Sequence, residues 1–403
     1  MDRLALGLFL AVYALLALGG LPPFRFDRTG IAIMGAAAMV LTGTIPFEVA
    51  VAAVDYRTIV FLFGMMIVVA NLRLAGFFRL VTARALRRAH SPRQVLAVTV
   101  FVPGILAAFF INDVVCLVCT PVVVQVTSRL ALPPVPYLLA LATAANIGSA
   151  ATVSGNPQNM LVASFARLPY ASFAEHLAPL ALAGLAVDYV VLLLLFRREL
   201  SGPRSGLRPV ELSERVHRPL LYKSALASVL AVSLFFAGYP VAEVSLGVGA
   251  WLLATRRVRP EKVYREIDWP LLVLFVGLFV VVGGFEHAGL DRRLLAYAGD
   301  VRSWGAHVVV VLTAVLSNVV SNVPAVMLLK PVVMQAADPA RTAMLVAAAS
   351  TFAGNFLTIG SVANLIVLEQ ARRAGVTISF WQYARVGVPV TLATLAMTWW
   401  ALG

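Results

Sequence analysis

Charge is scarce in this sequence. Only 13% of its 403 residues are Asp, Glu, Lys or Arg, against about 25% in soluble domains. A chain of this length folded in water still needs a broad polar surface, so a soluble enzyme is excluded. The 61% hydrophobic content excludes a disordered or fibrous chain as well. Lysine is rarer still: Lys223, Lys262 and Lys330 stand against 29 arginines. Cysteine is limited to Cys116 and Cys119, too few for a disulfide framework. Their spacing sets both sulfurs near one helix face, but a metal site needs further ligands and no nearby histidine supplies them. They read as two small apolar fillers. The five histidines lie in or near loops and form no cluster. There is no H-E-x-x-H, no P-loop and no G-x-S-x-G, so neither ATPase nor protease chemistry is expected. The chain is read as a non-enzyme, with no metal and no cofactor.

What the chain does have is long apolar runs, at a mean hydropathy of +0.89. A helix crosses the bilayer with roughly 20 mostly apolar residues. Such runs occur at 4–21, 30–45, 59–72, 137–165, 177–196, 220–237, 241–255, 269–285, 342–368 and 386–402. The first is read as a retained helix rather than a signal peptide, because no clear small-residue cleavage site precedes Pro22-Pro23. Two further stretches, 95–128 and 306–335, are apolar but interrupted. Each is too long for one span and too broken for two, and reads as a re-entrant hairpin. The fold class is therefore an all-α polytopic membrane protein with ten crossings and two hairpins.

With that topology, 24 of the 32 basic residues fall on one side. They include Arg73 to Arg93, the arginine-rich stretch 197–219, and Arg256 to Arg265. By the positive-inside rule that face is cytoplasmic. Both termini then face outward, and the expected location is a cell inner membrane. The net charge of +13 becomes an orientation signal, and no nucleic-acid partner is inferred from it.

The two halves resemble each other. Asp55 and Gly64 recur as Asp268 and Gly277, both 213 residues on. Asn112 precedes Pro121 by nine residues, as Asn322 precedes Pro331. Ala145-Asn146 matches Gly354-Asn355, and Ser154 to Asn159 matches Ile359 to Asn364. Four matches in one order, with offsets drifting only from 213 to 205, indicate an internal repeat. Each half holds five crossings and one hairpin. Five is odd, so the second half is inverted: 1–196 is one repeat, 197–219 a linker and 220–403 the other. Inverted repeats are typical of secondary transporters, whose sites lie near the midplane at discontinuous helices.

Four segments follow from that rule. The first hairpin turns over Phe109 to Asp113, and Asn112 and Asp113 stand side by side in that turn. Both are good N-caps, so each has a capping reading beside a functional one: Asn112 on substrate, Asp113 as the coupling-ion or proton group. A carboxylate at membrane depth is functional by default. The second hairpin offers Ser321 and Asn322 to substrate, with Val323 in place of the aspartate. Lys330 pairs with a carboxylate, holds an anion or snorkels to the outer interface. The first broken helix carries Asn146, Gly148, Thr152, Ser154, Gly155, Asn156 and Asn159, with Pro157 to disfavour helix at Asn156. The second carries Asn355, Thr358, Gly360, Ser361 and Asn364. Freed carbonyls around Asn146, Gly148, Gly155, Asn355 and Gly360 would hold a coupling ion, Na⁺ or H⁺. The remaining hydroxyls and amides (Thr152, Ser154, Asn156, Asn159, Thr358, Ser361, Asn364) would face substrate. Asp188, mid-span, is either a second proton site or a hydrogen-bonding partner of a neighbouring helix.

These motifs resemble the ion transporter superfamily, which includes divalent anion:sodium symporters, arsenite efflux permeases and a sodium/proton antiporter branch. The resemblance rests on Asn112-Asp113 with Thr120-Pro121, on Asn146 to Asn159, on Ser321 to Pro324, and on Gly354 to Ile366. It implies a transport domain built from both hairpins and both broken helices, a scaffold from the remaining helices, elevator-type alternating access and commonly a homodimer. Symporters of the group carry Ser-Asn-Thr at both tips. Here the tips read Ile111-Asn112-Asp113 and Ser321-Asn322-Val323, closer to the arsenite permease branch. The expected activity is secondary active transport of a small anion or oxyacid coupled to H⁺ or Na⁺. Arsenite or antimonite efflux is the alternative, with a sodium/proton antiporter or a passive channel behind it.

Overall fold

The computed structural model describes residues 2–18, 27–201, 216–254 and 258–403. Pro22-Pro23, Arg25, most of the 197–219 linker with Arg204, Arg208 and Arg215, and Arg256-Arg257 lie outside the described residues, as do the ends of the runs 4–21 and 241–255.

Every regular element among the described residues is a helix. The first half runs α1 (Asp2–Leu18), α2 (Arg28–Leu41), α3 (Phe47–Ala52), α4 (Tyr56–Ala75), α5 (Phe77–Arg87), α6 (Pro92–Phe109), α7 (Asn112–Arg129), α8 (Pro134–Ser149), α9 (Pro157–Phe165) and α10 (Tyr170–Leu195). The second runs α11 (Arg218–Phe236), α12 (Val241–Leu253), α13 (Pro260–Tyr264), α14 (Trp269–His287), α15 (Leu290–Ala298), α16 (Ala306–Val320), α17 (Asn322–Gln335), α18 (Pro339–Ala353), α19 (Val362–Arg373) and α20 (Phe380–Leu402). Single 3-10 turns sit at Val153–Gly155, Val301–Ser303 and Thr358–Gly360. The order is the same in both halves: two spans, a short helix, a span, a short helix, a hairpin, a broken helix and a closing span. Five helices, α4, α6, α10, α11 and α14, are each long and apolar enough to cross a bilayer alone. The pairs α8–α9 and α18–α19 reach that length only in combination.

The packing is reciprocal, as a two-fold relation between the repeats requires. α4 lies along α12, and α14 lies along α2. α7 packs on α19, and α17 on α9. The repeat motif of Asp and Gly acquires a physical meaning here. Asp55 caps α4 by accepting from the Arg57 and Thr58 amides, and Asp268 caps α14 through the Leu271 amide. Such a cap contributes about 1 kcal/mol. Gly64 and Gly277 are where the paired spans touch. A Cβ on Gly64 would stand 2.5 Å from the Ser245 carbonyl carbon, and one on Gly277 would stand 2.8 Å from that of Ala32.

Two sets of mutual neighbours emerge. One comprises α1, α2, α4, α11, α12 and α14. The other holds the hairpins and broken helices together with α10 and α20, since α10 packs on α6, α8 and α20, and α20 packs on α16 and α18.

The hairpins turn where expected, at Phe110-Ile111 and at Ser321, but not as expected. Ile111 occupies the cap position of α7, with no side-chain cap bond. The capping reading of Asn112 and Asp113 is thus corrected: both lie inside the first turn. The side chain of Asn112 is turned toward α8 instead.

Candidate functional site

Each broken helix ends because its backbone has other partners. In the first, Pro157 opens α9, and Asn156 caps it by accepting from the Asn159 amide at 2.8 Å. The Asn159 side chain then donates to two carbonyls of the break, Ser149 at 3.0 Å and Thr152 at 2.9 Å. In the second, Asn364 donates to the carbonyls of Gly354 at 2.8 Å and Leu357 at 3.4 Å. All three positions correspond at one offset of 205. Asn159 and Asn364 are therefore equivalent staples that hold each break open. Four carbonyls that the sequence leaves free for an ion are already satisfied by these amides. Gly155 and Gly360 lie tight against Ser149 and Gly354, the same carbonyls, where a Cβ would not fit. Gly148 is accounted for by packing, since a Cβ there would collide with the Gly104 backbone of α6.

The two breaks are joined through Asn146. Its Oδ1 accepts from Asn112 Nδ2 and from Ser361 Oγ, both at 2.9 Å. Its Nδ2 donates to Asn355 Oδ1 at 2.8 Å and Asn364 Oδ1 at 3.0 Å. One buried amide thus ties the first hairpin tip, its own helix α8, and both sides of the second break. A parallel node forms on the other break. Asn156 Nδ2 donates to Ser149 Oγ at 2.9 Å and Thr351 Oγ1 at 3.1 Å, and Gln158 Nε2 reaches the same threonine at 3.4 Å. Thr152 donates to the Ala108 carbonyl, and Ser154 bonds Tyr170 at 2.9 Å, strapping the first break to the end of α6 and the start of α10. Thr143, Ser149 and Thr351 belong to this network and carried no distinguishing signal in the sequence, being ordinary small polar residues in apolar helices.

The network extends to Asp188. Asn355 Nδ2 donates to the Thr143 carbonyl at 3.1 Å, and Thr143 Oγ1 donates to Asp188 Oδ2 at 3.0 Å. Asp188 is fully buried on α10, and its Oδ1 has no partner among the described residues. No cation lies within ion-pair distance of it among those residues. The Tyr383 hydroxyl, also buried, is likewise unpartnered.

Other candidates are placed elsewhere. Asp113 does not face the amide network. It lines a cavity of about 40 Å³ between α7, α4 and the start of α14, beside Asp268 and the Arg73–Glu266 ion pair of 2.5 Å. Lys330 is also away from the network. Its ammonium pairs with Glu286 on α14 at 2.9 Å, at the wall of a cavity of about 80 Å³ that Asp55 also lines. Arg73 and Glu286 are equivalent at the offset of 213, so the two cavities are counterparts with different charges. Thr358 is half-buried and makes no side-chain hydrogen bond among the described residues.

At the second tip, Asn322 is nine-tenths buried with Oδ1 unpartnered, in contrast to Asn112. Ser321 accepts a hydrogen bond at 3.2 Å from Nη1 of Arg28, the first residue of α2. The sequence marks Arg28 only as one of the 24 basic residues of one face. A crevice of about 380 Å³ opens at the opposite end of the bundle from the arginine-rich loops, lined by Arg57, Arg167, Tyr170 and Tyr239, and reaches Val153 of the first break.

The family model described as "Citrate transporter" matches residues 13–343. A silicon efflux transporter of Oryza sativa subsp. japonica is 30% identical, over 98% of this chain and 96% of its own. An uncharacterized transporter of Mycobacterium tuberculosis is 32% identical, over 99% and 97%. A Dictyostelium discoideum protein named "Putative transporter arsB" is 25% identical, over 91% and 86%. Among solved structures, the YdaH transporter of Alcanivorax borkumensis superposes with a TM-score of 0.60 at 14% identity, over 100% of this chain and 97% of that one, and so shares the fold. The relatives are transporters rather than enzymes, and the chain is a multi-pass helical membrane protein. With two polar breaks bound to one another inside an apolar bundle, and a family match across most of its length, the chain belongs to the citrate transporter family.

Proposed function

We propose that the protein is a secondary active transporter of a small anion or oxyacid, coupled to H⁺ or Na⁺ and working by an elevator-type motion. The observation that carries this reading is the buried network through Asn146. A polar cluster costs free energy in a bilayer, and here it joins both breaks and one hairpin tip across the two repeats. The set with the hairpins, broken helices, α10 and α20 is the moving body in this proposal. The set with α1, α2, α4, α11, α12 and α14 is the frame. The packing of α10 on α6, α8 and α20, and of α20 on α16 and α18, supports counting these two helices with the body. The arginine-rich loops would be cytoplasmic, both termini outside, the location an inner membrane and the form a homodimer.

Asp113 is the proposed coupling group. It sits at a hairpin tip, on the wall between body and frame, with Arg73, Glu266 and Asp268 around the same small cavity. Asp188 is a second carboxyl that could carry a proton. The test is flux in proteoliposomes under imposed H⁺ and Na⁺ gradients, after a stabilisation screen with arsenite, sulfate, phosphate, citrate, succinate and silicate. Accumulation against a concentration gradient in the wild type, lost in Asp113→Asn while the fold persists, is expected. Flux that only dissipates gradients would leave a channel. Gradient dependence surviving in Asp113→Asn would remove that residue from coupling. Efflux of a neutral oxyacid is the second reading, favoured by similarity to a silicon efflux transporter and to a transporter named arsB.

A further inference from the structure

The two hairpin tips are alike in sequence but opposite in charge. The first carries Asp113 beside Glu266, Asp268 and Arg73. The second carries no acid, and Arg28 reaches it from the frame. Arg28 is half-buried, and no carboxylate lies within ion-pair distance of it among the described residues. Asp27 beside it is engaged in capping α2 through the Gly30 amide at 2.8 Å. The residue equivalent to Arg28 in the other repeat, at the offset of 213, is the uncharged Val241, and Arg73 beside the first tip is paired with Glu266.

The second tip is built for a visitor in other respects. Ser321 holds φ +77, a conformation that costs a non-glycine residue free energy and persists only where its surroundings impose it. It precedes α17, whose first N–H groups have no acceptor within the helix. The buried Ser317 hydroxyl, a group that can donate to an anion, lacks a partner among the described residues. A guanidinium presents a planar fork of donors suited to oxyanions.

We propose that Arg28 is the anion-recognising cation of the transport site, lent by the frame only while the second tip stands beside the start of α2. This rests on the transport reading above and deepens it in two ways. The substrate carries negative charge, as a small carboxylate, phosphate or sulfate does. It is gripped more tightly from the arginine-rich face, where α2 begins, than from the other face, to which the tip would travel without Arg28.

The experiment compares wild type, Arg28→Gln and Arg28→Lys. Purified protein is screened for thermal stabilisation by sulfate, phosphate and citrate, and by silicic acid as a neutral control. Flux is then measured in proteoliposomes of known orientation. For the anion that stabilises the wild type, Arg28→Gln should bind at least tenfold more weakly and Arg28→Lys should fall between. KM should rise about tenfold at the arginine-rich face and stay within twofold at the other. Equal binding by wild type and Arg28→Gln, or an equal change at both faces, would overturn the assignment. Stabilisation and flux with silicic acid alone, indifferent to residue 28, would overturn it while leaving the transporter reading intact. No accumulation of any probe by the wild type would remove both. If Arg28→Gln fails to fold, Arg28→Lys decides, because it keeps the charge but loses the fork and should still raise KM at one face only.

Discussion

Asn146 holds together what the chain separates by more than two hundred residues. Truncation in Asn146→Ala would leave Asn112, Ser361, Asn355 and Asn364 each short of a buried hydrogen bond. At about 1–3 kcal/mol for an unsatisfied buried group, the loss should reach about 3 kcal/mol or more in thermal denaturation of the purified protein. Thr358→Ala, which removes a hydroxyl without a partner, should change stability by less than about 0.5 kcal/mol. Equal effects of the two would show that the network contributes nothing. Asp188 gives a contrasting case. Among the described residues its carboxyl has one hydroxyl donor and no cation, so Asp188→Asn should melt at or above the wild type, whereas Thr143→Val should lower stability by about 1–2 kcal/mol. A large loss in Asp188→Asn would instead mean that the negative charge itself is held there. The sequence marked Asn112, Asn146 and Asn355 because amides are costly in lipid. It did not mark Thr143 or Thr351, because threonine satisfies itself on its own helix as readily as on a neighbour.

At the scale of elements, the breaks were legible in detail. Pro157, Gly155 and the spaced asparagines of 146–159 imply an interruption, and the interruption is there. What they did not reveal is that the side chains of Asn159 and Asn364 turn back onto carbonyls of their own breaks. The direction of an amide depends on the carbonyls nearest to it in space, and composition is silent on that. Lys330 is a similar case. Its rarity drew attention, yet its partner Glu286 lies on a helix of the other set. A half-exposed pair of this kind contributes under about 1 kcal/mol, so its value to the fold is small. Its position between the proposed body and frame makes it a test of motion. With cysteines at 286 and 330 bridged by a bifunctional thiol reagent, flux should cease while ligand binding persists. The native Cys116 and Cys119 are buried and should not compete. Continued flux in the bridged protein would show that α14 and α17 never part.

For the whole molecule, the repeat is a matter of contact as much as of sequence. Gly64→Val and Gly277→Val should each force α12 or α2 outward, at a cost of about 3 kcal/mol, and the two losses should be similar because the crossings are counterparts. A melt unaffected by either would mean the paired spans are not in contact. The apolar runs, the polar interruptions, the internal offsets and the one-sided arginines could all be read along the chain. Each reflects a demand that the bilayer places on a segment irrespective of its neighbours: apolar length to cross, caps and prolines where helix must stop, positive charge on one face. Pairing was decided in three dimensions. Which asparagine meets which, why Asp113 and Lys330 stand apart from the amides, and how Arg28 reaches the second tip all depend on helices distant in sequence coming within hydrogen-bonding distance. That distance follows from packing two inverted halves against each other, and no local pattern encodes it.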